Sequence, residues 1–325
     1  MSKFGPFSDF LTFIGIDIAK DFIVVYIDSI ATHIECKNEL KDLRQLAKTL
    51  VKHKPTKVVL EATGGYERKA KSVFEKAGLP CVTIFPKRAR LFAESLGLLA
   101  KNDDIDAETL AYYGRVADKK LIPSQVASEE QSQLRALVQR RQQLVEMKVA
   151  EENRLKTVHP SMQRELQKDI NYIKRRIKEI ETKLDKRVKA NESWKQKDEI
   201  IRSVPGFGPK TSFTLLTELS ELGTIDGKKA AALVGVAPYA KDSGPKTGPR
   251  HCKGGRHPVR RILFMATLTA INHNPVIKEH FEQLCARGKS KKVAIIACVR
   301  KLTVILNAML RNLSFWQPTT FVNQS

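Results

Sequence analysis

Cysteine is scarce in this sequence, and the few cysteines are scattered. None of them belongs to a Cys-x-x-Cys pair. They are Cys36, Cys81, Cys252, Cys285 and Cys298. This pattern is typical of reduced thiols and excludes a small scaffold held together by disulfides. His251, Cys252 and His257 could supply three zinc ligands, but a fourth at standard spacing is missing, so we expect no zinc site.

Long apolar runs and a signal-peptide pattern are also missing. The apolar stretch at residues 293–299 is too short to cross a bilayer, and Arg300 and Lys301 follow it. The opening residues contain no apolar core followed by a small-residue cleavage site. There is no Lys/Arg-rich amphipathic helix with a Trp/Phe face. We therefore expect a cytoplasmic protein that does not bind a membrane.

Acidic residues are too few to balance the basic ones. The 325 residues include 57 Lys and Arg but only 35 Asp and Glu, which gives a net charge of +22. Such an excess indicates a polyanionic partner, because neutralised phosphates release counterions. Hydrophobic residues make up 42% of the chain, so it can bury a core and form two or three domains.

The N-terminal third alternates strands with helices. FIGIDIAKDFIVVYID predicts two strands joined by a turn at Lys20 and Asp21, and THIECKN predicts a third. ELKDLRQLAKTLVKH has helical spacing, and TKVVLEAT, YERKAKSVFEKAG and PCVTIFP then read as strand, helix and strand. The pattern favours a mixed sheet with helices on its faces.

The middle third, near residues 128–195, carries a heptad seam. Its members alternate at spacings of four and three: Leu166, Ile170, Ile173, Ile177, Ile180 and Leu184. Such a helix packs along a partner. The preceding helix, with Leu134 and Leu144, is one mate, and His159-Pro160-Ser161 would be the hinge; an intermolecular coiled coil is the other option.

Four carboxylates suggest a metal site. Asp17 interrupts a strand of isoleucines, Glu61 ends the run Val58-Val59-Leu60, and Asp103 and Asp106 share one face at the start of a helix. Together they could hold divalent cations for phosphodiester chemistry. The structural alternative is a charge beside a turn for Asp17 and a helix N-cap for Asp103 or Asp104.

SVPGFGPKTSFTLLTEL has the spacing of a helix-hairpin-helix. Gly206 and Gly208 flank one apolar residue before a helix that starts near Lys210. The glycines allow a tight turn and leave backbone N–H groups for a phosphate. A plain helix-turn-helix packing unit is the alternative.

The stretch GVAPYAKDSGPKTGPRHCKGGRHPVRR, residues 235–261, combines glycine, proline and cations around Ser243. Its cations are Lys241, Lys246, Arg250, Lys253, Arg256, Arg260 and Arg261. They repel one another unless an anion lies between them, so the stretch could cradle a phosphate with Ser243 as a nucleophile. The alternative is a mobile basic loop in which the serine is a turn residue.

These motifs together resemble a family of transposases. IGIDIAK, LEATGGYE and KNDDIDA are similar to the DEDD-type, RuvC-like domain of the bridge-RNA-guided insertion-sequence recombinases, the relatives of the Piv invertases. The second domain of that family carries GLxP…SG…KxG…R…L around an essential serine. The matching residues are Gly235, Pro238, Ser243, Gly244, Lys253, Gly255, Arg260 and Leu263. The hairpin SVPGFGPKTS matches as well.

The resemblance implies an α/β RNase H-like (RuvC-like) domain at residues 1–120 and a mainly α-helical transposase domain at 198–325. The heptad seam predicts that a helical coiled-coil arm at 128–195 joins them. The resemblance implies Mg²⁺ held by Asp17, Glu61, Asp103 and Asp106, and a transient phosphoserine bond between Ser243 and DNA. It also implies donor and target DNA, an element-encoded bridge RNA, a prokaryotic cytoplasm and a homo-oligomer, either a dimer or a tetramer.

Two other functions fit parts of the sequence. A metal-dependent junction nuclease needs only the four acids and uses water as the nucleophile. A non-catalytic RNA-binding or architectural protein needs only the basic surface.

Overall fold

The structure is a computed structural model that describes residues 11–98, 102–123, 128–240, 242, 248 and 250–318. The chain divides into two compact units, residues 1–127 and 128–325. In the described residues the first unit is a mixed α/β layer structure and the second is almost entirely helical. The predicted fold class is confirmed at this level, and the RNase H-like subdivision stays a prediction.

The first unit is built on a five-stranded sheet in the order β3-β2-β1-β4-β5. The strands are β1 (Phe13–Ile18), β2 (Phe22–Ile27), β3 (Thr32–Lys37), β4 (Lys57–Glu61) and β5 (Cys81–Ile84). The first three strands pair antiparallel, whereas β4 pairs parallel to β1 and β5 parallel to β4. β-Branched residues dominate these strands, and each strand forms where the sequence predicts it.

Helices cover both faces of this sheet. They are α1 (Leu40–Lys52), α2 (Glu67–Lys76), α3 (Pro86–Ser95) and α4 (Asp103–Val116). One face, with Ile14, Ile16 and Leu60, forms a buried core with α1 and α2. The opposite face packs against α4.

A buried ion pair fastens α4 to the sheet. Asp28 is 2% exposed, and its carboxylate accepts hydrogen bonds from the Phe13 N–H (2.8 Å) and from Arg115 Nη2 on α4 (2.6 Å). The Arg115 guanidinium also lies 5.1 Å from the centre of the Phe13 ring. Because a buried charge without its partner is costly, this pair fixes α4 relative to β1.

The second unit is a bundle of eight helices in its described part. They are α5 (Glu129–Leu155), α6 (Pro160–Ala190), α7 (Glu192–Arg202), α8 (Pro209–Glu218), α9 (Gly227–Val234), α10 (His257–His273), α11 (Pro275–Ala286) and α12 (Lys291–Asn312). A two-stranded ribbon of β6 (Pro238–Tyr239) and β7 (His251–Cys252) lies between α9 and α10.

The two long helices α5 and α6 pair within the chain. This is the first of the two predicted arrangements, in which α6 packs along the preceding helix. His159 caps α6, and Pro160 is its first residue. The seam residues Ile173 and Leu184 are buried in one core that continues into α7–α12. The structure therefore draws one boundary, between residues 127 and 128, and the further division near 195–198 stays a prediction.

Among the described residues, one helix, α12, is long and apolar enough to cross a membrane. More than half of its apolar segment is buried inside the protein, with Cys298, Leu302 and Leu306 in the core of the second unit. It is packed as a core helix.

Candidate active site

Asp17 and Glu61 lie side by side at the carboxyl ends of two neighbouring strands. β1 and β4 pair in parallel through Ile16 and Leu60, and the two acids are the next residue on each strand. Adjacent strands are about 4.8 Å apart, so the two Cα atoms are close. Strand alternation places both side chains on the sheet face that α4 covers. The sequence predicted that these acids act together, and the register shows that they follow paired residues on neighbouring strands.

Helix α4 lies directly on this face. A Cβ atom built on Gly15 would lie 2.0 Å from the Ala107 carbonyl oxygen and 2.4 Å from the Ala111 nitrogen. Gly114, near the other end of α4, is close to Phe13 at the start of β1. The helix therefore runs antiparallel to β1, and its N-terminus lies above the strand end that carries Asp17.

The two acids of α4 lie in that N-terminal turn. Asp103 precedes Ala107 by four residues and Asp106 precedes Leu110 by four, so both continue the rows that face the sheet. Asn102 is the N-cap, because its side chain accepts the Ile105 N–H at 2.8 Å. Asp103 and Asp104 are therefore not N-caps, but both lie in the first turn of α4, where acids complement the helix dipole.

The side chains do not close into a complete metal site. Across residues 11–98, 102–123, 128–240, 242, 248 and 250–318, no three His, Cys, Asp or Glu side chains are grouped to hold one ion. Asp17 is half-buried, and its Oδ1 accepts the Ile18 N–H at 2.9 Å. The structure thus brings together the backbone positions of the four acids without gathering their carboxylates around one point.

Asn38 is a supporting residue that the sequence analysis missed. It is 4% exposed, and its Nδ2 donates to the Ala19 carbonyl (3.1 Å) and to the Tyr66 carbonyl (3.4 Å). These carbonyls belong to the turns that follow Asp17 and Glu61. An asparagine after a strand carries no local signal for this role, because its partners are 19 and 28 residues away.

Glu67 fixes the glycine turn that follows Glu61. Its Oε2 accepts the N–H groups of Thr63 (3.1 Å) and Gly65 (2.8 Å) and the Thr63 hydroxyl (2.9 Å). In return, Thr63 Oγ1 accepts the Glu67 N–H. Burial raises the pKa of the Glu67 carboxyl, but these hydrogen bonds outweigh it and leave the pKa below the ordinary value. A threonine shortly before a glutamate at a helix start is the sequence signal of such reciprocal capping.

Glu67→Gln is expected to change the pH dependence of stability. Because the folded pKa is lowered, the carboxylate stabilises the fold above the ordinary pKa of 4.5, and this contribution is lost as the pH falls through the folded pKa. At pH 7 the variant should be less stable by about 1 kcal/mol, since the group is partly exposed. Thermal midpoints measured between pH 7 and pH 3 should converge for the two proteins. A difference that stays constant to the lowest pH would contradict this role.

The predicted hairpin joins α7 to α8. Gly206 has a φ of +98°, and an added Cβ would lie 2.6 Å from the Ala270 nitrogen on α10. Gly208 caps α8, and its carbonyl accepts the N–H groups of Thr211 and Ser212. Lys210 Nζ lies 3.8 Å from Glu181. Gly206 is thus required by packing against α10, whereas Gly208 borders open space.

The stretch at residues 235–261, called here the serine loop, is held together at its base. Pro238 pairs with Cys252 and Tyr239 with His251 in the β6–β7 ribbon. Next to the ribbon, the backbone of Gly235 packs against the backbone of residues 254–255. A Cβ atom added to Gly235 or to Gly255 would lie 2.2 Å from a backbone atom of the other segment. Ser243, Gly244, Lys241 and Lys246 lie outside the described residues. The ribbon shows how both ends of their loop are held.

Several of the predicted nucleic-acid-binding cations contact the protein itself. Arg260 Nη1 donates to the Gly254 carbonyl (2.8 Å), Arg250 pairs with Asp242 (2.8 Å), and Arg261 lies 3.8 Å from Glu146. Lys253 is exposed.

Arg256 belongs to an ion network that the sequence did not predict. Its guanidinium donates to the Glu221 carboxylate at 2.8 Å and to the Glu218 carbonyl at 2.6 Å. The Glu218 side chain accepts two hydrogen bonds from Arg135 on α5. Burial raises the pKa of Glu221, but Arg256 and Arg135 outweigh it and lower the pKa. The network ties the C-terminal end of the serine loop to α5 and α8.

Two segments of the chain match profiles of known transposases. Residues 14–160 match the profile of the DEDD transposases of the IS110 type, and residues 198–282 match the profile described as "Transposase IS116/IS110/IS902 family". The two matches follow one another without overlap and together cover well over half of the chain. The chain belongs to the IS116/IS110/IS902 transposase family.

Individual relatives extend the similarity along the chain. The pilin gene-inverting proteins of Moraxella bovis and Moraxella lacunata are each 26% identical over 314 residues, which is 92% of this chain and 96% of theirs. An insertion element IS110 uncharacterized 43.6 kDa protein of Streptomyces coelicolor is 30% identical over 121 residues, 36% of this chain and 30% of its own. This transposase is therefore an enzyme of a family that cleaves DNA strands and transfers them.

Proposed function

We propose that this transposase is an RNA-guided DNA recombinase that moves an insertion sequence, with Ser243 as its nucleophile. Ser243 Oγ forms a bond to a DNA phosphorus while the bond to a deoxyribose oxygen breaks. The serine proton passes to a base or to water, and the departing oxygen takes up a proton. Attack by the hydroxyl of another strand reverses the step and releases the serine, so strands are exchanged without ATP.

The four acids supply the second half of this proposal. Asp17, Glu61, Asp103 and Asp106 are hard oxygen donors of the kind that Mg²⁺ prefers. They follow the ends of β1 and β4 and stand in the first turn of α4, so their oxygens would hold a divalent cation if the carboxylates converge when the ion binds. Bound Mg²⁺ would stabilise the negative charge on the departing oxygen. The parallel register of Asp17 with Glu61 beneath the N-terminus of α4 is the observation that carries the proposal.

The partners follow from charge and family. The net charge of +22 suits DNA together with a structured RNA, and we propose donor DNA, target DNA and an element-encoded bridge RNA as ligands. The relatives in Moraxella are named for inverting a pilin gene, which is a recombination reaction. We further propose a cytoplasmic homo-oligomer, a dimer or a tetramer, in which the serine and the acids act within one copy or between two.

Ser243→Ala is expected to abolish the covalent protein–DNA adduct. Full-length protein is incubated with its RNA, both DNA sites and Mg²⁺, denatured, and analysed for labelled DNA that migrates with the protein. The wild type should show an adduct and the variant none, because alanine has no oxygen to bond to phosphorus. Ser132→Ala, on the exposed side of α5, is the matched control and should retain the adduct.

Each rival function gives a different result in the same assay. DNA cleavage that persists in Ser243→Ala without an adduct would identify water as the nucleophile and make the protein a metal-dependent nuclease. Binding without cleavage in the wild type under every metal condition would favour a non-catalytic protein.

A further inference from the structure

A strongly exposed aromatic side chain lies beside the acidic corner of the sheet, the name used here for the region that carries Asp17, Glu61, Asp103 and Asp106. Phe85 is 69% exposed, the most exposed aromatic side chain among the described residues. It follows directly after Ile84, which pairs with Glu61 across β4 and β5. The chain beside it is held in place, since the Ala62 N–H donates to the Ile84 carbonyl at 3.0 Å. Phe85 therefore lies one residue beyond the position that neighbours a predicted catalytic acid.

Two exposed cations follow Phe85 in the first turn of α3. Lys87 and Arg88 both point to solvent, and neither forms an ion pair with another described residue. The acid of this helix, Glu94, lies at its far end, where it pairs with Arg90 at 3.0 Å. Because α3 begins at the carboxyl end of β5, its basic turn lies at the same edge of the sheet as Asp17 and Glu61.

A second exposed aromatic residue lies on the neighbouring loop. Tyr66 is 51% exposed and immediately precedes α2, in the turn that follows Glu61. Its carbonyl accepts a hydrogen bond from the buried Asn38, so the backbone of this aromatic residue is anchored. Tyr66 and Phe85 thus follow the ends of two adjacent strands.

Single exposed apolar residues are common on protein surfaces and need no explanation. Aromatic side chains combined with unpaired cations are different, because unpaired bases stack on the rings while the cations hold the phosphates. A duplex offers less to such a surface, since its bases are already stacked on one another. The chemistry of this edge therefore selects a single strand.

We propose that Phe85, Tyr66, Lys87 and Arg88 bind an unpaired stretch of DNA next to the linkage that is cleaved. This surface, called here the stacking edge, rests on the proposed function, because it assumes that the acids beside it act on DNA. It would hold the nucleotides that flank the reacting phosphate out of the DNA double helix, so that this phosphate stays at the acidic corner.

The test measures binding of the full-length protein to a fluorescent 12-nucleotide DNA strand by anisotropy, with a 2-aminopurine base as a second reporter of stacking. Phe85→Ala should bind this strand about tenfold more weakly and should lose the 2-aminopurine quenching. Leu91→Ala is the matched control, because Leu91 lies on α3, which begins directly after Phe85, and is 56% exposed. It should bind like the wild type.

The cations give an independent measure. Binding repeated at several salt concentrations yields a slope that counts neutralised phosphates. Arg88→Ala should lower the magnitude of this slope by about 0.7 for a single strand, whereas Phe85→Ala should leave it unchanged. An Arg88→Ala slope equal to that of the wild type would overturn the assignment of the cation to a phosphate.

Other outcomes also decide the proposal. If Phe85→Ala binds like Leu91→Ala, or loses as much affinity for the DNA duplex as for the single strand, the stacking edge is rejected. A loss confined to an RNA strand of the same sequence would assign the edge to RNA and reject the DNA proposal. The stacking edge and the nucleophilic role of Ser243 can fail separately. The Ser243→Ala protein should bind the single strand like the wild type, because stacking needs no nucleophile. The adduct assay tests Ser243 independently of this binding.

Discussion

Asp17→Asn is expected to slow DNA cleavage and strand transfer sharply while the first unit stays folded. The substitution removes one of the carboxylates that would hold Mg²⁺, and weaker stabilisation of the charge on the departing oxygen lowers rates by about 10²- to 10³-fold. The fold should survive because the asparagine oxygen can still accept the Ile18 N–H that Asp17 Oδ1 accepts at 2.9 Å. Covalent adduct formation and recombination product are the measurements, with the thermal midpoint recorded for the same preparation.

Asp21→Asn provides the matched control for this prediction. Asp21 lies four residues away in the exposed turn after β1, and its backbone carbonyl, which the substitution retains, accepts the Asn38 N–H. The control should therefore keep both its fold and its activity. Full activity in Asp17→Asn would show that the acid is structural and would support the non-catalytic alternative.

The strands of the first unit could be predicted because local sequence decides them. Runs such as Phe13–Ile18 and Phe22–Ile27 are rich in β-branched residues, and the turn between them contains charged residues that do not belong in a sheet. Asp17 stood out as a candidate for the same reason, since a charge in an isoleucine strand has no local explanation. The apolar spacing of α6 likewise predicted a partner helix, but it left open whether that partner was α5 or a helix of another copy.

The register between distant strands was not readable from the sequence. Nothing local shows that Asp17 will align with Glu61, because 44 positions separate them and the alignment depends on how β4 inserts beside β1. The role of Asn38 is hidden for the same reason. Local sequence does not indicate that Gly15 must lack a side chain, whereas the structure shows that backbone atoms of α4 lie where its Cβ would be.

Acids of the protein itself pair with some of the cations at residues 235–261. Clustered cations repel unless an anion lies among them, and the sequence offered a phosphate as that anion. In the structure, acids of the protein take part of this role: Glu221 for Arg256 and Asp242 for Arg250. Such pairs are separated by 8 to 35 residues, so composition could not reveal them. Arg256 and Arg260 thus have contacts that shape the loop, whatever phosphates they also meet.

Gly15→Ala is expected to destabilise the first unit by at least about 3 kcal/mol. The new methyl group would lie 2.0 Å from the Ala107 carbonyl oxygen and 2.4 Å from the Ala111 nitrogen, and both are backbone atoms of a continuous helix. They cannot rotate away as a side chain could, so α4 must move as a whole or the unit must unfold. Thermal and urea unfolding of the full-length protein give the loss, and amide hydrogen exchange shows whether α4 opens first.

Gly78→Ala separates this clash from the ordinary cost of replacing a glycine. Gly78 has no neighbour within 4 Å but a φ of +83°, so alanine there should cost about 1 to 2 kcal/mol through backbone strain alone. A Gly15→Ala variant no less stable than Gly78→Ala would show that α4 does not lie on β1 at this distance. If Gly15→Ala instead stays folded with α4 displaced, it should still fail to form the DNA adduct, because Asp103 and Asp106 move with the helix. Lost activity in a folded protein with unchanged carboxylates would then show that the reaction depends on where α4 places its acids over Asp17 and Glu61.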